Sequence, residues 1–244
     1  MRATWHDSND PRAPTMKRGA RVVLLAGGSL LLTLGFFALA VAGWGGGWCS
    51  FLSDPVRRAS FVAGLLLSTA GGYAMARSPE INPLSSGLRE DRTNRWLFLP
   101  NAVLVVLIAW LPPLTDRRDL LTFDGDTVRW IGFALFVLGA LLRMWPVVVL
   151  GRHYSVLLAI QEHHDLVTDG PYRWVRHPFY LGSVVNAVGW ALVFRSSLGL
   201  LLAAAAVALL VPRMRAEEAL LESHFGDAYA AYRLRSWRLV PLLY

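Results

Sequence analysis

Cysteine is almost missing from this chain: Cys49 is the one thiol in 244 residues. An internal disulfide is therefore impossible, and no thiolate metal site can form. Cys49 reads as a small apolar residue near the end of a span. Charge is also sparse, at 17% of residues, where a soluble domain carries about 25%. No Gly-x-Gly-x-x-Gly follows a strand, and no strand is expected to carry one, so a dinucleotide fold is excluded by context. Walker-type, Ser–His–Asp and His-Glu-x-x-His signatures are missing. The every-second-residue alternation of barrel strands is missing as well.

What remains is apolar. Hydrophobic residues make up 55% of the chain and the mean hydropathy is +0.41. These values indicate an all-α, polytopic transmembrane protein with about six membrane helices. The stretches 20–43, 58–76, 96–114 and 128–150 have the roughly 17–25 residues a crossing needs. The stretches 179–194 and 197–212 are shorter, and only Arg195 and Ser196 separate them, which predicts a tight C-terminal helical hairpin. Pro112 and Pro113 are expected to close the third span. Gly45–Gly47, flanked by Trp44 and Trp48, marks a turn with indoles at the headgroup level. No repeat or heptad stands out.

Charge sets the orientation. With both termini cytoplasmic, the inner segments 1–21, 76–95, 151–178 and 213–244 hold 17 of the 24 Lys and Arg. The positive-inside rule favours that arrangement, although Arg57 and Arg58 on the outer side speak against it. The 115–129 loop, with four Asp against three Arg, suits the outer side. A net charge of +7 could suggest nucleic acid. The basic residues, however, are spread over helix ends, where anionic lipid is the plainer partner. Residues 1–19 read as a disordered tail, and the first apolar run as an uncleaved anchor rather than a signal peptide. The expectation is a bacterial inner-membrane protein with its polar site on the cytoplasmic side. Residues 20–150 form a four-helix scaffold and 151–244 the working region, within one fold.

The ionisable groups gather after Gly151. Four of the six histidines lie between 153 and 177. Asp169-Gly170-Pro171 is a turn signal, because Gly tolerates left-handed dihedrals and Pro fixes its own φ. Arg176-His177-Pro178 opens the fifth span, with Pro suited to a first helical turn. The unpaired N–H groups of that helix start suit an anionic group. Arg213 and Glu217 are four apart on one helical face. They are either a solvated surface pair, or a guanidinium that grips a carboxylate with two parallel hydrogen bonds beside a Glu that orients it or takes a proton. His153, His163, His164 and His177 lack metal-ligand spacing, so no metal is expected. Arg143, inside the fourth span, either snorkels to the interface or faces a ligand. Asn101 and Asn186 read as interhelical hydrogen-bonding residues.

Taken together, several segments resemble the isoprenylcysteine carboxyl methyltransferase family, with the related membrane phospholipid N-methyltransferases. They are Gly151-Arg152, His164-x-Leu166-Val167-Thr168-Asp169-Gly170-Pro171-Tyr172-Arg173, Arg176-His177-Pro178-x-Tyr180-x-Gly182, Arg213-x-x-x-Glu217-Glu218, and Phe225-Gly226-x-x-Tyr229-x-x-Tyr232 with Pro241. The likeness covers about 145–244. It implies S-adenosylmethionine as methyl donor, bound at the cytosolic face without a Rossmann domain. His164, the turn from Val167 to Tyr172 with Leu166 before it, His177, Pro178 and Tyr180 would line the cofactor pocket. Gly170 would form the turn, and Glu218 would be a further contact, to the methionine amino group. Arg213 and Glu217 would lie toward a lipidic acceptor entering from the bilayer. That acceptor is expected to be an isoprenoid or isoprenylcysteine-like carboxylate; a phospholipid amine is the alternative. Outside this class stand a membrane reductase using NADPH and a non-catalytic lipid transporter. The transporter would need polar residues at mid-membrane and inverted symmetry.

Overall fold

The computed structural model describes residues 18–77, 89–90, 98–150, 159–160 and 166–241. Backbone amides have no water to bond in hydrocarbon, so long apolar runs satisfy them within helices. In order, the helices are α1 (Arg18–Trp44), α2 (Gly47–Ser53), α3 (Pro55–Arg77), α4 (Phe98–Arg117), α5 (Asp126–Leu150), α6 (Pro178–Val193), α7 (Ser197–Phe225) and α8 (Asp227–Leu234). Five of them, α1, α3, α4, α5 and α7, are long and apolar enough to cross a membrane, while α6 is shorter. The chain is an all-α, polytopic membrane protein. Leu31, Leu32 and Leu66 on its flanks are exposed, as a lipid-facing surface requires.

Several boundaries differ from the sequence reading. The last long helix runs thirteen residues beyond 212, to Phe225, so Arg213, Glu217 and Glu218 ride on the spanning helix itself. A short helix, α2, follows the glycine turn and was not expected. Two strands occur where none was expected: β1 (Arg89–Glu90) pairs antiparallel with β2 (Ala159–Ile160). They are too short to show as periodicity. Pro112 and Pro113 do not close their span, because α4 continues to Arg117. Proline at 112 leaves the Ile108 carbonyl without its helical donor. The Trp190 indole takes that carbonyl at 2.9 Å, which removes the reason for the helix to stop there.

Among the described helices, the seam between α5 and α6 is the most intimate. A Cβ on Gly139 would run into the Asn186 backbone, and one on Gly189 into Phe136. Gly132 and Gly139, like Gly182 and Gly189, are seven residues apart and share a face. Small residues at that spacing let helix backbones touch, the usual device where lipid removes any hydrophobic preference for association. This heptad of glycines is the periodicity the sequence reading missed. Asn186 donates across the seam to the Phe136 carbonyl at 2.7 Å, in its expected packing role. Asn101 is exposed and makes no such bond among the described residues; its face of α4 looks outward. Trp190 centres an aromatic core with Phe36, Phe37, Phe136 and Phe194 around it.

Two buried ionic clusters close the bundle at opposite ends. One joins the α2–α3 corner, the end of α4, the start of α5 and the α6–α7 turn. Asp54 accepts from the Arg57 amide at 2.9 Å and from Arg129 at 2.7 Å. Arg195 donates to Asp116 at 2.8 Å, and the Arg57 guanidinium lies over the Trp44 ring. The other cluster holds the candidate site.

Candidate active site

The site begins at a turn with little freedom. Gly170 has φ +59, a left-handed conformation that glycine adopts without a Cβ penalty. Gly170–Arg173 then forms one turn of 3-10 helix with Pro171 buried. The next residues are zipped to the C-terminal strap. Trp237 donates its amide to the Trp174 carbonyl at 2.8 Å; the Arg176 and His177 amides donate to Trp237 and Arg238 at 2.7 and 3.1 Å. The His177 N–H is thus spent on the strap. Tyr232, one turn into α8, donates to the Tyr172 carbonyl at 2.7 Å. Burial pushes its pKa up to about 12, so it remains a proton donor.

Helix α6 starts at Pro178 with His177 as its cap residue, and α7 passes beside it. Glu218 sits at their meeting point, buried and surrounded by donors. Arg176 Nε reaches its Oε1 at 2.9 Å and His177 Nε2 stands 3.3 Å from the same oxygen. Arg238 spans both oxygens, with Nε at 3.1 Å from each and Nη2 at 2.6 Å from Oε2. Such charge-assisted bonds are the strong ones. An ammonium group reaching Glu218 would have to displace Arg238. The Arg176 guanidinium also donates to the carbonyls of Arg233 and Ser236, which locks the strap to the start of α6.

The neighbouring carboxylate is placed differently. Glu217 is 35% exposed at its side chain and accepts from the Tyr180 hydroxyl at 3.1 Å. Because Tyr180 gives its proton to Glu217, its oxygen is left to accept from Arg213 Nε at 2.8 Å. Arg213 and Glu217 share a helical face, as their spacing implied, and a tyrosine from α6 stands between them. His177 stacks on Tyr180 with centroids 5.5 Å apart, and its Nδ1 is 3.8 Å from Glu217. The two acidic residues of one dipeptide thus face two surroundings, one saturated and one open.

Of the residues expected at the cofactor, Gly170, Tyr172, His177, Pro178, Tyr180 and Glu218 come together here, and Leu166 and Val167 lead half-buried into the turn. His164 lies outside the described residues, as do Gly151, Arg152, His153 and His163. The Arg143 guanidinium rests over the Phe179 ring at 5.1 Å. No group of three His, Cys, Asp or Glu close enough for a metal occurs among the described residues. Sequence reasoning missed Arg238 and Trp237. They lie twenty residues beyond Glu218 in a segment with no spacing signal, and only the fold returns them to it.

Residues 130–223 match the isoprenylcysteine carboxyl methyltransferase (ICMT) family. The chain is 30% identical over 132 residues to protein-S-isoprenylcysteine O-methyltransferase B of Arabidopsis thaliana, covering 51% of this chain and 67% of that protein. It is 32% identical over 127 residues to protein-S-isoprenylcysteine O-methyltransferase of Schizosaccharomyces pombe, covering 51% of this chain and 54% of the relative. A solved structure of the eukaryotic intramembrane Ras methyltransferase aligns over 93% of this chain and 98% of its own, at 16% identity and a TM-score of 0.48. The matched stretch runs from α5 through the Glu217–Glu218 pair on α7, and over it the chain belongs to the isoprenylcysteine carboxyl methyltransferase family.

Proposed function

We propose that the protein is an integral-membrane O-methyltransferase that moves a methyl group from S-adenosylmethionine to the carboxylate of a lipidic, isoprenoid or isoprenylcysteine-like acceptor. The observation that carries this reading is the Arg213–Tyr180–Glu217 chain beside the Glu218 cluster, inside the family-matched stretch. The donor chemistry suits the cofactor. Three guanidiniums, Arg176, Arg213 and Arg238, outnumber the carboxylates of Glu217 and Glu218, and a buried Tyr229 hydroxyl has no partner among the described residues. The anionic end of an amino-acid cofactor therefore meets donors.

When bound, that cofactor supplies an electrophilic methyl group on a sulfonium. The protein's part is alignment in a water-poor cavity. His164, Leu166 and the turn from Val167 to Tyr172 would line the cofactor pocket with His177, Pro178 and Tyr180. Glu218 would hold Arg176, His177 and Arg238 in register. Arg213, its Nε fixed by Tyr180, would grip the acceptor carboxylate. A carboxylic acid with pKa about 4 is ionised at neutral pH, so an ester-forming reaction needs no base. An amine acceptor would need one, and Glu217 is the carboxylate placed to take the proton.

The test is methyl transfer from labelled cofactor by the full chain in vesicles, offered a farnesylated cysteine or phosphatidylethanolamine. Label that alkali releases as methanol from the prenylated product is the expected result. Alkali-stable label on the phospholipid would replace O-methylation by N-methylation. No label on either, in folded protein, would overturn both.

The reading extends to topology. Both termini and the Glu218 end would face the cytoplasm of a bacterial cell, with α6 and α7 as a hairpin and residues 151–244 as the working region on a 20–150 scaffold. The excess of Arg at that end supports this orientation. Cys49 is exposed at the opposite end, so an impermeant maleimide added outside intact spheroplasts should label it. Labelling only after lysis would invert the topology.

A further inference from the structure

Tyr229 lies in the first turn of α8, which follows α7 directly at Gly226 with φ +53. The residue is 1% exposed, yet its hydroxyl has no hydrogen-bond partner among the described residues. A buried hydroxyl without a partner destabilises the fold that holds it, and phenylalanine would fill the same space without that loss. The groups around the hydroxyl are charged. Burial first, and then the adjacent Glu218 carboxylate, hold the phenol above the ordinary tyrosine range, so it is a proton donor at any physiological pH. Arg176, Glu217 and Tyr232 are its other neighbours.

The acceptors close by are committed. Both Glu218 oxygens receive bonds from Arg176, His177 and Arg238, Glu217 receives the Tyr180 proton, and Tyr172 receives that of Tyr232. Among the described residues no uncommitted acceptor is left for Tyr229, and a ligand can bring one. The wider cluster holds three guanidiniums, Arg176, Arg213 and Arg238, against two carboxylates, which favours an anionic acceptor over a neutral ring nitrogen. Glu217 and Glu218 also neighbour the hydroxyl, so that acceptor is reached from the Arg176 side. We propose that the Tyr229 hydroxyl donates a hydrogen bond to the carboxylate of the amino-acid part of the bound cofactor. This rests on the cofactor reading above.

The experiment compares wild type with Tyr229→Phe in the full chain purified in detergent. The probes are S-adenosylhomocysteine and methylthioadenosine, which keeps the adenosine and sulfur but lacks the amino acid. Hydrogen bonds to charged groups are worth enough to predict a loss of about tenfold in S-adenosylhomocysteine affinity. Methylthioadenosine binding should be unchanged, and the ligand-free melting temperature equal or higher. Unchanged S-adenosylhomocysteine binding would overturn the proposal. So would equal weakening of both probes, or a lower melting temperature, since either would make the hydroxyl structural. If wild type bound neither probe, the cofactor reading itself would fall, an outcome distinct from a normal wild type with an indifferent variant.

Discussion

The two ends of the bundle are both closed by buried ions, and they differ in how those ions are spent. At the Trp44 end, Asp54, Arg57, Asp116, Arg129 and Arg195 come from four separate points of the chain, and their bonds run between helix ends. Arg57 donates to the Phe51 carbonyl and Arg129 to the Val193 carbonyl. Asp54 shows the balance: burial raises its pKa, but the Arg57 amide and the Arg129 guanidinium outweigh that and hold it below the usual carboxylate range. At the other end, Arg176, His177, Tyr180, Arg213, Glu217 and Glu218 come from two short motifs. There one carboxylate is saturated, its neighbour is partly open, and a buried hydroxyl lacks a partner among the described residues. Arg129 Nη2 in the first cluster is likewise buried without a partner among the described residues, so what sets the second apart is the part-exposed Glu217, an opening that the proposed function assigns to a ligand. Burial of charge is common to both and by itself identifies neither.

The widest break would come at the seam the two ends share. Gly139→Leu places a side chain against the Asn186 backbone, and we expect a loss of more than about 3 kcal/mol, the upper range of overpacking. Both ends should fail together, seen as aggregation in detergent gel filtration; a monodisperse variant would show that the seam yields. Arg57→Ala should separate the ends. Removing one partner of a buried pair costs about 3–5 kcal/mol, read as a lower melting temperature, while methyl transfer per folded molecule stays at the wild-type value. A specific loss of turnover would tie that end to the chemistry.

His177→Ala should do the reverse. We expect a fall in turnover of at least about 100-fold, the scale for lost alignment near a reacting centre, in protein that stays folded; unchanged turnover would remove His177 from the site. Arg213→Lys is the mildest change, because a point charge replaces a planar fork. A loss of about tenfold is expected with a carboxylate acceptor, the value of roughly one charge-assisted hydrogen bond, and a smaller one with an amine. Equal rates with wild type would exclude Arg213 from acceptor binding.

Much of this was legible before any coordinates. Composition and run length located the spans, because hydrocarbon tolerates little but long apolar helices. The turn at Asp169–Pro171 and the start of α6 at Pro178 followed from the dihedral limits of glycine and proline. The pairing of His177 with Glu217 and Glu218 was foreseen only as a shared side of the membrane. Less legible was the end of α4, since proline ends a helix only when nothing else satisfies the freed carbonyl, and the indole that does so is 82 residues away. The glycine heptads on α5 and α6 were in plain sight, yet glycine in a spanning helix has several uses and only a facing backbone distinguishes them.

Residue order is enough to show that the chain crosses a membrane as helices, and that its reactive side chains gather in two motifs after Gly151. Both follow from local chemistry, the solubility of a run and the bonding habits of a short segment. Tertiary structure alone decided that Arg238 and Trp237 return to the start of α6, that Glu218 is saturated while Glu217 is open, and that the Tyr229 hydroxyl ends beside them without a partner among the described residues. Those outcomes depend on which donors and acceptors meet across helices. Hydrogen bonds act over about 3 Å, and no spacing along the chain encodes a distance that short between residues so far apart.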